Sequence, residues 1–287
     1  MGGGANSRTA SRDVRTVNGL GDEDFEVYRS IFFWHYDDLL KKYFGRFQRF
    51  RLRQSKLARM FFEYKAFRES TEWEGVSTSF RYGDDAELFV PRNFYILTET
   101  ILSLDCKVDG IFRIGNSIEV INECVGIINE CVDNNVSYED AKQCLASRFS
   151  VIDMATAFKQ VLREYPTTIV PEELMDTMLV ISKVGNSEDQ LVLCRMLFLA
   201  MPKPNRHVLE ATINFLYTVH DISTNKGTDY EGKMNIEGIS RIMMPNLVLK
   251  SHNQVDLDNI ETLVNFMKMF FENFAQIVCL DENVAEL

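Results

Sequence analysis

Residues 116–132 read NSIEVINECVGIINECV, and this stretch indicates the fold class more clearly than any other part of the chain. Asn116 and Glu119 stand three residues apart, which fits a capping box at the start of a helix. The apolar residues that would then share one helical face are Ile118, Ile121, Val125, Ile128 and Val132. The stretch therefore predicts an amphipathic α-helix that buries one side.

Similar periodicity continues toward the C-terminus, and strand-like alternation is weak throughout the chain. We therefore predict an all-α domain. Seven further helices are predicted. The first begins after Ser137, the second spans about 152–165 with Met154, Phe158, Val161 and Leu162 inward, the third runs from Pro171 toward Gly185, and the fourth begins at a Ser187 cap. The fifth runs from an Asn205 cap to Val219, the sixth spans about 236–244 and stops at Pro245, and the last spans about 257–279.

Charge divides the 287-residue chain into two parts. Residues 1–83 contain 15 Lys or Arg and 11 Asp or Glu, whereas residues 84–287 contain 16 and 31, for a net charge of −11. We predict an N-terminal tail and helical extension over 1–83 and a folded domain over 84–287. The acidic domain argues against nucleic acid as a partner, because phosphates would be repelled.

The extension contains a basic, aromatic-rich stretch. Residues 41–68 contain ten Lys or Arg, one acid (Glu63) and six phenylalanines, which suits a basic amphipathic helix. Two interpretations stay open: the helix packs its apolar face against the acidic domain, or it lies on an anionic membrane surface. The first residues, MGGGANSRTASRD, lack the apolar stretch of a secretory signal, and no apolar run reaches the roughly 18 residues that a membrane span needs. We therefore expect a cytoplasmic protein, peripheral to a membrane if the second interpretation of residues 41–68 holds.

Metal and disulfide chemistry find little support in the sequence. The six cysteines form no C-x-x-C pair, and Cys124 and Cys131 lie seven apart on one predicted helix face, which favours free buried thiols. The four histidines are scattered without metal-ligand spacing. The chain also lacks a P-loop, a G-x-S-x-G and an H-E-x-x-H motif, so no active site of its own is predicted.

Four segments resemble motifs of RhoGAP domains, in the order and approximate spacing of that family. Residues 109–113 read Asp-Gly-Ile-Phe-Arg and resemble its Gly-Ile-Phe-Arg motif, with Phe-Val-Pro upstream at 89–91. Residues 158–166, FKQVLREYP, resemble the family's Leu-Lys-x-Phe-Leu-Arg-Glu-Leu-Pro. Lys233-Met234 is followed at the family's distance by Pro-Asn-Leu at 245–247. The resemblance covers about 85–279.

The resemblance implies a RhoGAP-like helical bundle that activates a Rho-family small GTPase. Arg113 would be the catalytic residue, an arginine finger inserted in trans into the partner's active site. The protein would then not be an enzyme by itself, because it completes the active site of its partner. It would need no cofactor of its own, since GTP and Mg²⁺ are bound by the partner GTPase.

Three further residues are implied as partner-binding. Lys159 and Arg163 stand four apart and share a helix face, which would border the finger loop. The resemblance implies that Arg163 steadies that loop and that Lys159 meets an acceptor on the partner. Asn246, placed just after a helix-ending proline, would contact the partner's switch I backbone.

The sequence departs from the family pattern at positions near the expected partner surface. Tyr165 replaces the usual leucine, Thr167-Thr168 replaces Glu-Pro, and Gly232 stands in place of an asparagine. These changes leave open which Rho-family GTPase is the partner. Two alternative functions remain, a RhoGAP-like module that binds GTPases without accelerating hydrolysis and a membrane-associated scaffold acting through residues 41–68.

Overall fold

The structure, a computed structural model, describes residues 14–53, 75–83, 85–108, 110–224, 235–249 and 257–285. Helices dominate these residues, which confirms the predicted all-α class, and none of the described helices is long and apolar enough to cross a membrane. The helices are α1 (Asp22–His35), α2 (Asp37–Tyr43), α3 (Arg46–Arg53), α4 (Arg92–Ser103), α5 (Ile118–Asp133), α6 (Tyr138–Arg148), α7 (Val151–Glu164), α8 (Met175–Ile181), α9 (Ser187–Ala200), α10 (Lys203–Thr224), α11 (Ile236–Val248), α12 (Leu257–Glu272), α13 (Phe274–Val278) and α14 (Glu282–Ala285).

The opening stretch forms α5, with two corrections at its start. Ser117, not Asn116, is the N-cap residue, and its side chain accepts a hydrogen bond from the Val120 amide. Ile118 is 59% exposed, so it does not belong to the buried stripe. The rest of the stripe packs inward as predicted, with Val132 half-buried and the other three members buried.

Helix α7 forms close to its predicted bounds and is central to the bundle. Ser150 caps it, and Asp153 at the third helical position accepts the Ser150 amide, which completes a capping box. Its buried side packs against α4, α5 and α11. The predicted inward residues, all at most 1% exposed, are Met154, Phe158, Val161 and Leu162.

Two other helix starts differ from the prediction. Asn186, not Ser187, caps α9. Helix α10 begins before Asn205, whose buried side-chain amide donates instead to the carbonyls of Thr168 and Ile169. Asn205 therefore ties the helix to the preceding loop and does not cap it.

Proline 245 does not end its helix, contrary to the prediction. Helix α11 continues through Pro245 to Val248, so only the bond from its missing amide is lost. The buried residues on both sides of the proline, Met244 and Leu247, keep the last turn packed in the core. The final predicted helix is divided at Asn273 into α12 and α13.

A small sheet was not predicted. Strands β1 (Val76–Thr78) and β2 (Leu88–Val90) pair antiparallel, with Val76 opposite Val90. Three residues per strand are too few to produce a recognisable alternation in the sequence.

The sheet is held against α10 by a buried histidine. The Phe89 amide donates to Nδ1 of His207 over 3.1 Å. Burial lowers the pKa of His207 to about 3, so the imidazole is neutral and Nδ1 can accept this bond. The histidine therefore serves as a structural acceptor.

The cysteines are free thiols, as predicted. Cys124 and Cys131 are both buried on α5. Burial raises the pKa of Cys124 to about 12, which keeps this thiol protonated.

The hydrophobic core extends across the predicted boundary at residue 83. Phe32 and Leu40 are fully buried members of the same core as the helices after residue 84. Asn18 donates to the buried Glu210 carboxylate and accepts from the Arg206 guanidinium, both on α10. The boundary between residues 83 and 84 stays a prediction, but the two sides share buried contacts.

The basic stretch 41–68 is described only as far as residue 53. There it forms the end of α2 and all of α3, separated at Phe44-Gly45, rather than one continuous helix. Leu52 is buried, whereas Phe47 and Phe50 are 66% and 58% exposed. The apolar side chains therefore do not all pack against the domain, and residues 54–68 lie outside the described part.

Phe32→Ala is expected to lower the free energy of unfolding by about 3–5 kcal/mol, because it empties a fully buried site in the shared core. Trp34→Ala is the control on the same helix: Trp34 is 75% exposed, and we expect a change within about 0.5 kcal/mol. Urea denaturation followed by circular dichroism measures both. A Phe32→Ala midpoint equal to that of wild type would show that α1 is not part of the cooperative core.

Candidate functional site: an arginine on a loop held by one helix

The loop that carries Arg113 begins with a turn at Gly110. Gly110 has φ = +69°, a left-handed conformation that favours glycine. Its carbonyl accepts the amides of Arg113 (2.7 Å) and Ile114 (2.8 Å). A Cβ at position 110 would lie 3.1 Å from the Ile114 side chain, a tight contact, but it is the positive φ that favours glycine here. Asp109 lies outside the described residues.

Two apolar residues fix the loop immediately before the arginine. Ile111 and Phe112 are 3% and 1% exposed. The Phe112 ring packs edge-on against Phe215, with ring centroids 6.1 Å apart. Arg113 itself is exposed. The backbone is therefore anchored one residue from a side chain that is accessible to solvent.

Lys159 on α7 holds the main chain at the same point. Its Nζ donates to the Phe112 carbonyl over 2.6 Å. Burial, together with the positive charge of Arg163, lowers the pKa of Lys159. A charged donor in a half-buried setting makes this bond stronger than a neutral one. Lys159 therefore determines where the Arg113 side chain leaves the backbone.

A second hydrogen bond closes the far end of the loop. The Asn116 side-chain amide donates to Oδ1 of Asp153 over 2.7 Å, and Asp153 is only 6% exposed. Burial alone would raise the pKa of Asp153, but hydrogen bonds from Ser150 and Asn116 outweigh burial and lower it. The carboxylate thus stays ionised and ties Asn116 to the first turn of α7.

The loop lies along one flank of α7. Thr156 lies between the other two α7 residues, and its hydroxyl donates to the Ile114 carbonyl over 3.4 Å, a long and weaker contact. We call the three α7 residues that hold the loop the loop clamp: Asp153, Thr156 and Lys159. Of these three, the sequence pointed only to Lys159, and as a contact to the partner, while it assigned the steadying of the loop to Arg163. The spacing of three residues between polar side chains on a helix was the available indication of the other two.

The other predicted partner-binding residues have different settings. Arg163 is exposed, one turn beyond Lys159 on α7. Asn246 is not in a turn after a helix end, as the sequence suggested, but inside α11 and only 5% exposed. Its amide donates to the Ile242 carbonyl over 2.6 Å, and its Oδ1 is buried without a hydrogen-bond partner in the described structure.

Helix α11 also holds the segment that follows α7. The Val170 amide donates to the Leu247 carbonyl over 2.9 Å. Tyr165, one of the departures noted above, is buried, and its hydroxyl donates to Asn93. Gly232 and Lys233-Met234 lie outside the described residues.

No group of three or more His, Cys, Asp or Glu side chains in the described ranges is arranged to hold a metal ion.

The fold and the site together define a helical domain that presents one arginine on a clamped loop. The RhoGAP domain family matches residues 91–252, more than half of the chain, and the chain belongs to this family. The matched region contains the Arg113 loop, α7 and α11.

Curated relatives have names consistent with this family. The chain is 25% identical over 187 residues to Rho-GTPase-activating protein LRG1 of Saccharomyces cerevisiae, covering 63% of this chain and 18% of that protein. It is 26% identical over 161 residues to Rho GTPase-activating protein 18 of Homo sapiens, covering 56% and 22%. The chain thus spans about a fifth of the length of these relatives.

Solved structures share the fold. The BH domain from Graf, the GTPase regulator associated with focal adhesion kinase, superimposes with a TM-score of 0.53 at 16% identity, covering 65% of this chain and 92% of that chain. Human Rho GTPase activating protein 15 superimposes with a TM-score of 0.55 at 15% identity, covering 66% and 83%. At these identities the likeness concerns the fold alone.

Asn116→Ala is expected to cost about 1–3 kcal/mol of unfolding free energy, because it leaves the buried Asp153 carboxylate without one of its donors. The amides of Arg113 and Ile114 should exchange hydrogen faster as the loop loosens. Asn134→Ala, an exposed asparagine at the other end of α5, is the control. Unchanged exchange at both amides in Asn116→Ala would exclude this bond as a constraint on the loop.

Proposed function

We propose that this protein accelerates GTP hydrolysis by a Rho-family small GTPase and that Arg113 acts in trans as the arginine finger. The observation that carries the proposal is the exposed Arg113 on a loop anchored on both sides of it, inside a RhoGAP domain. The names of the curated relatives, which are Rho GTPase-activating proteins, agree with it.

The chemistry requires a cation at the transferring phosphoryl group. Negative charge shifts onto the phosphoryl oxygens in the transition state, and an arginine supplied in trans stabilises it by roughly 10³–10⁵ in rate. That is about 4–7 kcal/mol of barrier. Arginine suits this role because it stays charged and offers a planar fork of donors. GTP and Mg²⁺ are the partner's, so the protein completes another active site instead of having its own.

Anchoring of the loop supports a catalytic role for Arg113. A finger must be placed within about 0.5 Å of its productive position, and a loose loop would lose binding energy to ordering. The bond that Lys159 donates to Phe112 and the bond that Asn116 donates to Asp153 flank Arg113 on either side. The loop therefore loses its conformational entropy when the protein folds, and this loss does not reduce the free energy of binding to the GTPase.

Lys159 can combine two roles. Its ammonium has three donors, and the Phe112 carbonyl uses one of them. We propose that the remaining donors reach an acceptor on the GTPase, as the family resemblance implies. Arg163, exposed one turn away, would extend the same basic flank and adjoin the loop on the partner side.

A contact between Asn246 and the partner requires the partner to approach α11 closely, because Asn246 is only 5% exposed. Its buried Oδ1 lacks a hydrogen bond in the described structure, which is an unfavourable state for a buried acceptor. We propose that a main-chain amide of the partner's switch I supplies that bond in the complex. The free energy regained on satisfying the oxygen would then add to binding.

Arg113→Ala is expected to reduce GTPase acceleration by roughly 10³–10⁵-fold, because the finger meets charge that develops in the transition state. Arg113→Lys should recover little, since lysine lacks the planar fork. Single-turnover GTP hydrolysis, with saturating protein and a panel of Rho-family GTPases, measures the rate. Arg148→Ala, an exposed arginine on α6, is the matched control and should equal wild type.

Two outcomes would contradict the proposal in different ways. Equal acceleration by wild type and Arg113→Ala would remove Arg113 from the catalytic role while leaving GTPase activation intact. Binding to an activated GTPase without acceleration by wild type would identify the protein as a non-catalytic GTPase-binding module.

A further inference from the structure

The most exposed aromatic side chains of the described residues lie on the N-terminal helices. Trp34 on α1 is 75% exposed, and Phe47 and Phe50 on α3 are 66% and 58% exposed. These three aromatic residues are the largest apolar side chains that the described part of the chain exposes to this degree. Isolated exposed apolar residues are ordinary, but a group of aromatic ones is not.

Helix α3 has a definite inner and outer side. Leu52 is fully buried, and its carbonyl accepts a hydrogen bond from the buried Arg29 guanidinium over 3.0 Å. At 100° per residue, Phe47 and Phe50 lie on the side away from Leu52. The helix is therefore held to α1 by one face and presents two phenylalanines on the other.

Arginines flank these phenylalanines along the α3 sequence. Helix α3, RFQRFRLR, contains four arginines in eight residues and no acid. Arg46 and Arg53 are exposed with the phenylalanines, and Arg49 is half-buried. Arg53 pairs with Asp37, but an exposed pair of this kind contributes little and leaves the arginine available.

Trp34 adjoins the same side of the molecule. A cleft of about 300 Å³ separates α1 from α3, and its lining includes both Trp34 and Arg53. Trp34 of α1 and Arg53 of α3 therefore line one cleft, together with Asp37, the acidic partner of Arg53. We define the basic aromatic surface by Trp34, Phe47, Phe50, Arg46, Arg49 and Arg53.

We propose that the basic aromatic surface binds an anionic phospholipid bilayer. Amphipathic helices that lie in the interface plane combine basic residues with exposed Trp and Phe, as this surface does. Each arginine near an anionic leaflet contributes about 1 kcal/mol. The chain as a whole has a net charge of −11, so repulsion of the remainder favours an orientation with this surface toward the lipid. An acidic protein partner is the competing occupant.

The experiment is co-sedimentation of the full chain with vesicles of phosphatidylcholine, with and without phosphatidylserine. Wild type should bind only the vesicles that contain phosphatidylserine, and less at high salt. Arg46→Ala with Arg49→Ala should weaken binding about 30-fold, which corresponds to two lost arginines. Phe47→Ser with Phe50→Ser should also weaken binding, with an unchanged melting temperature because both rings are exposed.

Matched controls change exposed residues elsewhere. Ile118→Ser, 59% exposed on α5, and Arg148→Ala, on α6, should bind vesicles like wild type. Three results would overturn the proposal: no binding by wild type, binding that ignores phosphatidylserine, or variants of the surface that bind as tightly as wild type. The last would assign lipid binding to another part of the chain. GTPase acceleration in solution is a separate readout and is not expected to change.

Discussion

The hydrogen bond from Lys159 to the Phe112 carbonyl is the constraint on which the geometry of the Arg113 loop depends. It joins a half-buried ammonium on α7 to the main chain one residue before Arg113. The Phe112 ring is simultaneously buried against Phe158 and Phe215, so the residue is fixed through both its side chain and its backbone. An exposed, flexible side chain thereby starts from a rigid point, as pre-organised sites require.

Helix α7 can fix the Arg113 loop because its apolar face packs in the core and its polar flank remains free to bind the loop. Its apolar face, with Phe158 fully buried, packs into the bundle, while the loop clamp lies on a polar flank. Loss of core packing at α7 would therefore displace the loop as well. The capping box at Ser150 fixes the helix start and orients Asp153, so one carboxylate serves both the cap and the loop.

The N-terminal segment is a structural part of the described fold. Burying Arg206 and Glu210 on α10 is costly unless both are hydrogen-bonded, and Asn18 supplies a bond to each. Burial raises the pKa of Glu210, and the bonds from Tyr82 and Asn18 oppose that rise. The polar core of α10 is thus completed by residues from before residue 84.

The sequence by itself determined the helical class, the buried stripe of α7 and most of that of α5, because periodicity is a property of neighbouring residues. A local motif made Arg113 the candidate. It did not reveal the pairing of Asn116 with Asp153, the burial of Asn246 or the passage of α11 through Pro245. Those features depend on which segments meet in space. Only the tertiary structure decided them, since a side-chain amide or a helix end adopts the arrangement that satisfies buried groups from distant parts of the chain.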